Sequence, residues 1–394
     1  MQTVCHIITQ LELGGAQQNT LFTVSHLDPS RFRVALITGE PGLLDEEAKV
    51  FEGVAFYQVP SLGRPIRPWR DLRAFLSLTA LLRKLQPAIV HTHSSKAGIL
   101  GRLAAWLAGV PIIIHSIHGF GFTRYQHPLF RLALLAGERL AAPVTTKFFA
   151  VSEANRRQGI SLGLFSADRC TVIRSGVDLA ALRRTRVDVR AKRQELSLEP
   201  IGPVVGMMAP FKPQKAPLDF VRMAELVHRA RPDAQFVLVG DGELRNEVEV
   251  ERSRLGLSSV MHLTGWRRDT AEIMRCLDIL VLTSLWEGLP RVYLEAMASG
   301  VPVVGTKVDG APEVIREGVT GFLVEPGDVR ALAERVLYIL SHPEEAKRIG
   351  CNGQELPLEF DIHEMVRQQE REYDTLLATL PLNQEGGEHA RSLT

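Results

Sequence analysis

Short apolar runs rich in β-branched residues recur along this chain, separated by longer stretches of helical period, and that alternation restricts the fold more than any single motif does. The runs fall at residues 3–9, 33–38, 88–93, 111–115, 147–152 and 170–174, then resume at 203–208, 234–240, 260–264, 279–284, 302–306 and 321–324. Apolar runs of this length read as strands buried on both faces, the habit of parallel sheets covered by helices. Two groups of runs predict two doubly wound α/β units.

At 394 residues, and roughly 150 residues per domain, the chain has room for two such units and something more. The first unit is placed at 1–180. A linker is expected at 181–202, where Arg, Lys and Glu crowd, the apolar period fades, and Pro200 and Gly202 follow. The second unit is placed at 203–360. Residues 381–394 are polar, with no apolar face to bury, and are expected to be disordered.

Hydrophobic residues make up 45% of the chain and charged ones 23%, which excludes disorder, collagen and coiled coil as overall descriptions. The 46 basic and 45 acidic residues leave no global field to attract nucleic acid. Cys5, Cys170, Cys276 and Cys351 show no CxxC spacing, which fits a reducing compartment rather than a disulfide framework or zinc ribbon. The N-terminus has no signal-peptide pattern, and no stretch of about 18 apolar residues is free of charge. A cytoplasmic chain without a membrane span is the expectation. Charge is local instead: residues 53–150 hold twelve Lys or Arg against only Asp71 and Glu138. Such a sector is either a solvated helix surface or a face that meets anionic lipid or a phosphorylated acceptor.

After the first strand the chain reads Leu13-Gly14-Gly15-Ala16-Gln17. Two glycines there let a backbone approach a ligand and aim amides at a phosphate, although a tight turn alone would also use them. Neither unit opens with GxGxxG, which removes the main support for a nicotinamide dehydrogenase. In the second unit, the run ending at Ser284 leads into Leu285-Trp286-Glu287-Gly288-Leu289-Pro290-Arg291. Pro290 suits a first helical turn, so Glu287 and Gly288 sit in the loop ahead of a helix and Glu295 in its second turn. Free amides then lie between two carboxylates, a layout that suits a diphosphate flanked by two sugar rings, or simply two surface glutamates on an amphipathic helix.

Glu287 to Glu295 resembles the Glu-x7-Glu motif of the family 4 retaining glycosyltransferases. Flanking segments are similar too: Val239-Gly240-Asp241-Gly242-Glu243, Leu263-Thr264-Gly265-Trp266, Gly300-Val301-Pro302-Val303-Val304-Gly305-Thr306 and Gly310-Ala311-Pro312-Glu313. In the first half, Gly14-Gly15-Ala16, His91-Thr92-His93-Ser94-Ser95-Lys96-Ala97-Gly98 and Ile117-His118-Gly119-Phe120 stand in the family's order, so the resemblance spans about residues 3–330. It implies the GT-B fold, two Rossmann-like domains facing across a cleft. A last helix at 361–380 would cross back to the first domain.

The resemblance also implies roles. Glu287 would hold donor-sugar hydroxyls, with Gly288 and Leu289 beside it. Glu295 would hold the ribose of the nucleotide, and backbone near Gly265 would read the base. Gly15 and Lys215 would neutralise the leaving diphosphate. Pro210 stands where the family commonly has an arginine, and Lys212 is the nearest substitute, without the bidentate fork of Arg. His118 would face the cleft and touch sugar or acceptor, making His118, Lys215 and Glu287 the catalytic candidates. Acceptor-side candidates are His93, Ser94, Lys96 and Arg124. His91 and His93 alternate on one strand, but with no third ligand at useful spacing and no DxD motif, neither a metal nor any other cofactor is expected. Residues 127–140 mix apolar residues with Arg, as a core-facing helix or a lipid-facing one would.

The reading is a retaining, metal-independent transferase moving a sugar from a nucleotide sugar, UDP-linked, to a glycan hydroxyl, with a lipid-linked saccharide at the inner membrane face as the expected acceptor. A nucleotide-sugar 2-epimerase, which needs no acceptor, and a catalytically silent nucleotide-sugar-binding partner are the alternatives.

Overall fold

The computed structural model describes residues 1–380 except residue 124, so the expectations for 381–394 and for Arg124 lie outside the described residues. Two all-parallel sheets carry the chain. The first is ordered β3-β2-β1-β4-β5-β6-β7, from β1 (Gln2–Ile7), β2 (Phe32–Thr38), β3 (Val54–Gln58), β4 (Ile89–His93), β5 (Ile112–Ile117), β6 (Lys147–Ala150) and β7 (Cys170–Val172). The second is ordered β10-β9-β8-β11-β12-β13, from β8 (Val204–Met208), β9 (Gln235–Val239), β10 (Met261–Gly265), β11 (Ile279–Leu282), β12 (Val303–Thr306) and β13 (Gly321–Val324). Every residue of β4, β5, β8, β9, β11 and β12 is buried, as helices on both faces of a sheet require.

One strand was not expected. β3 reads VAFYQ, and its side chains are half-buried or exposed because it forms the edge of the first sheet beside β2. Continuous apolarity marks strands covered on both faces, so an edge strand escapes it.

The connection at 181–202 is more structured than an aperiodic linker. Helices Leu179–Arg184 and Val189–Glu195 are each started by an aspartate, Asp178 and Asp188, whose carboxylate accepts the N–H of Ala181 and Ala191. Caps of this kind act locally and form a short helix without an apolar stripe. Lys192 then fastens the second helix to Asp269 and Glu272 of the second unit, each at 2.8 Å.

Helix Ile362–Leu377 lies on the first sheet. Its Ile362, Met365, Val366 and Tyr373 share a buried cluster with Val4, Ile89 and Ile114, and the Tyr373 hydroxyl lies 2.5 Å from Nδ1 of His91. In both sheets the strand order reverses about the first strand of the unit, at β1 and β8. Loops at the carboxyl ends of β1, β4, β5, β8 and β11 meet in one cleft, the place such sheets offer a ligand.

Candidate functional site

The cleft has a volume of about 600 Å³ and is lined from both units, by Gly15, Ser94 and His118 on one side and Lys215, Glu287 and Glu295 on the other. Its floor is the start of helix Arg291–Ala298, capped by Pro290 in extended conformation. Glu287 and Gly288 form the loop ahead of that helix and Glu295 lies in its second turn, so unpaired amides face the cleft between two carboxylates.

Glu287 is buried and its direction is over-determined. One carboxylate oxygen accepts from the Lys215 ammonium and from the Ser284 hydroxyl at 2.6 Å, while its backbone N–H donates to Asp309 at 2.6 Å. Lys215 ends the turn Pro213–Lys215, which the residue after β11 holds in place: the Thr283 hydroxyl donates to the carbonyls of Lys215 and Ala216 at 2.8 and 2.9 Å. The Gln214 side chain donates to the Trp286 carbonyl at 3.0 Å, and Leu285 N–H donates back to the Gln214 carbonyl at 2.8 Å. Two loops from different strands are thereby tied into one surface. Asp309 is pushed above the usual carboxylate range, chiefly by burial.

Lys212 lines the cleft and contacts Glu12 of the first unit at 3.2 Å, and Arg64 pairs with the same carboxylate at 2.6 Å. Pro210 is on the wall as well. Arg291 was not singled out from the sequence, although it occupies the first turn of the helix, four residues before Glu295. Its guanidinium is half-buried and donates to the Gly176 carbonyl at 3.0 Å, to Gln18 at 2.6 Å and to the Gly15 carbonyl at 3.4 Å, with Glu295 3.6 Å away. Burial pulls its pKa down, against the pull of Glu295. A methyl group on Gly15 would lie 3.1 Å from Cδ of Arg291, so glycine lets the two halves close here.

His118 follows β5 and lines the cleft. Its Nε2 lies 3.1 Å from Nδ1 of His93, whose Nε2 lies 3.0 Å from Nδ1 of His6. Burial lowers the pKa of His118 to about 4, with Arg291 adding to the effect, and lowers that of His6 to about 3. His91, His93 and His115 are held low for the same primary reason. All five are neutral near pH 7.

Several expected site residues sit elsewhere. His93 is buried between His6 and His118 on a strand central in the sheet and does not line the cleft. Lys96 does not line the cleft: its ammonium turns away to Asp71 and the Pro65 carbonyl. Ser94 does line the cleft, with its hydroxyl 2.7 Å from that of Thr9. Gly265 lies behind the wall, its carbonyl accepting the Gly240 N–H, and Trp266 and Arg267 form the surface there. The missing third partner for His91 and His93 exists after all. His6 on β1 pairs in register with His91, and ring nitrogens of the three lie within 4.8 Å of one another. Spacing within one strand could not reveal a residue delivered by the neighbouring strand. In the structure these nitrogens meet one another, His118, Tyr373, and Ser116 at 2.7 Å, except Nε2 of His6, which is buried without a hydrogen-bond partner among the described residues.

Residues 13–181 match the family model described as Glycosyltransferase Family 4, and residues 202–342 the one described as Glycosyl transferases group 1. The chain is 34% identical over 349 residues to the Escherichia coli UDP-Gal:alpha-D-GlcNAc-diphosphoundecaprenol alpha-1,3-galactosyltransferase, covering 86% of this chain and 90% of that one. It is 25% identical over 320 residues to a Campylobacter jejuni N,N'-diacetylbacillosaminyl-diphospho-undecaprenol alpha-1,3-N-acetylgalactosaminyltransferase, covering 79% and 83%. Among solved structures, Anabaena HepE in complex with UDP and glucose superposes with a TM-score of 0.81 at 21% identity, covering 95% of this chain and all of that one. That likeness is one of fold.

Proposed function

This chain belongs to the family 4 (group 1) glycosyltransferases, and from that footing we propose that it moves a sugar from a UDP-sugar to a hydroxyl of a lipid-linked saccharide, in the assembly of a surface polysaccharide. The observation that carries the reading is the cleft floor, where Lys215, the amides ahead of Arg291, and the carboxylates of Glu287 and Glu295 converge from two loops and a helix. The named relatives use diphospho-undecaprenol acceptors, which supports the choice of acceptor class.

In the proposed reaction the bond from the sugar's anomeric carbon to the diphosphate oxygen breaks, and a bond from that carbon to the acceptor oxygen forms on the same face. The proton of the acceptor hydroxyl leaves with the departing diphosphate. Lys215, the helix amides and the amide of Gly15 stabilise the charge that grows on the diphosphate, in a site the domains screen from water. Glu287 orients sugar hydroxyls and Glu295 the ribose. His118, held neutral, offers a hydrogen bond rather than a charge. In this reading Lys215 and the amides carry the neutralisation, so transfer proceeds without a divalent ion.

We place the reaction at a membrane face. No helix among the described residues is long and apolar enough to cross a membrane. Helix Pro128–Ala141, however, exposes Leu129, Leu132 and Leu140 beside Arg131 and Arg139, a mixture that suits the boundary of anionic headgroups and acyl chains.

Calorimetric titration with UDP, GDP and ADP, with and without Mg²⁺, tests the donor assignment. UDP binding that needs no Mg²⁺ and is lost in Glu295→Ala is the expected result. A folded protein that binds none of the three would overturn the reading.

A further inference from the structure

A second cavity of about 370 Å³ is lined by residues of both units. Phe120, Trp286 and Glu287 line both cavities, so the two adjoin at the carboxylate assigned to the donor sugar. One edge is aromatic: the rings of Tyr125 and Trp286, one from each unit, stack with centroids 5.5 Å apart and planes 21° apart. A flat aromatic surface beside polar groups suits one face of a pyranose ring.

The second cavity brings a cation from each unit to one lining. Within the basic sector Arg64 pairs with Glu12, Arg70 with Glu40, Lys96 with Asp71 and Arg102 with Glu138, whereas Arg67, Arg73, Arg83, Lys84 and Arg139 have no carboxylate partner among the described residues. Arg131 and Lys307, one from each unit, line the second cavity, are exposed, and have no carboxylate partner among the described residues. Two carboxylates besides Glu287 share the lining. Asp309 is already engaged by the Glu287 N–H, while Glu325 lies on the wall of the second unit. Arg131 is also the link to the lipid-facing surface, because it stands in the first turn of helix Pro128–Ala141 between Leu129, 71% exposed, and Leu132, 60% exposed.

Resting on the proposed transfer to a lipid-linked saccharide, we propose that this second cavity is the acceptor site. The saccharide lies against the Tyr125–Trp286 pair and presents its hydroxyl at Glu287. The phosphates of the same molecule lie between Arg131 and Lys307, and its hydrocarbon runs onto the exposed leucines of helix Pro128–Ala141. An amphiphile with a sugar head, a diphosphate and an apolar tail matches this order of surfaces in sequence. A nucleotide does not, since it lacks the tail.

The test uses the full chain and two probes, N-acetylglucosaminyl diphosphate carried on a long alkyl chain and phosphatidylglycerol vesicles, with binding read directly and transfer from UDP-galactose read separately. Arg131→Ala and Lys307→Ala should each weaken binding of the sugar diphosphate about tenfold, the effect of losing one charge-assisted contact. Acceptor KM should rise in parallel, while kcat and UDP affinity stay within about twofold. Retained UDP affinity shows that the variants are folded. Unchanged binding of the sugar diphosphate in the double variant would overturn the proposal. So would equal binding of phosphatidylglycerol, which would mean that the cations read phosphate alone. If the wild type binds the probe through these residues yet transfers no sugar, the acceptor site stands and the proposed transfer fails.

Discussion

Gly119 and Gly288 face each other across the cleft so closely that a methyl group on Gly288 would lie 2.4 Å from the His118 carbonyl oxygen, and one on Gly119 3.1 Å from the Gly288 nitrogen. Gly119 also has a φ of +107°, a conformation that side chains rarely adopt. The two units therefore meet backbone to backbone next to Glu287, the carboxylate proposed to hold the donor sugar.

Gly288→Ala should wedge that contact open. Displacement of reacting groups by about 1 Å costs on the order of a hundredfold in rate, and a loss of that size in kcat is expected. Thermal stability should change little, because the obstruction lies between units rather than within one. A variant with wild-type turnover would show that the cleft closes some other way.

Glu287→Gln and Lys215→Met separate the two halves of the cleft-floor ion pair. The glutamine variant frees the ammonium for phosphate, so UDP affinity should hold or improve while turnover falls by about a hundredfold or more. The methionine variant should lose UDP affinity itself, by about tenfold. Calorimetry and single-turnover transfer distinguish the two patterns, and identical losses in both would contradict the division of roles.

Tyr373→Phe removes the hydroxyl that meets His91 and leaves a buried ring nitrogen without its partner. A penalty of about 1–3 kcal/mol is expected, since an unsatisfied buried polar group retains its full desolvation cost. The loss should appear in denaturant unfolding of the first unit. UDP affinity, a property assigned to the second unit, should not move.

Acid should destabilise this protein through its buried histidines. Their folded pKa values are depressed by burial, to about 4 for His118 and about 3 for His6, against an ordinary 6.5. Below pH 6.5 the unfolded chain takes up protons that the folded chain refuses, so stability is complete above that pH and is lost as pH falls toward 4. Each histidine contributes about 1.4 kcal/mol per pH unit in that window. Denaturant midpoints at pH 7.5 and 5.5 should differ accordingly, and His6→Asn should flatten the slope. Transfer rates should show no inflection from His118 between pH 6 and 8.

The alternation of apolar runs with helical period was enough to lay out both sheets, because strands buried on both faces must be continuously apolar whatever they pack against. Edge strand β3 and the two capped helices of the 181–202 connection were not legible in that way. Their signals, partial exposure and a local aspartate cap, leave no long apolar period. Glu287, Glu295, Lys215 and His118 could be picked out because the spacing and flanks of the glycosyltransferase motifs mark them along the chain.

What the sequence could not reveal was which side chains are brought together from different strands. His6 lies 85 residues before His91 yet is its neighbour in register, and its ring caps the acceptor-side candidate His93, which is buried. Lys96 stands in the same motif as His93 but spends its charge on Asp71, a helix away. Arg131 and Lys307 come from opposite halves of the chain and share a cavity only because the domains close. Periodicity and caps are local properties that a chain encodes along its length. Burial, counter-ions and the pairing of distant loops depend on strand order and domain approach, and those exist only once the chain has folded.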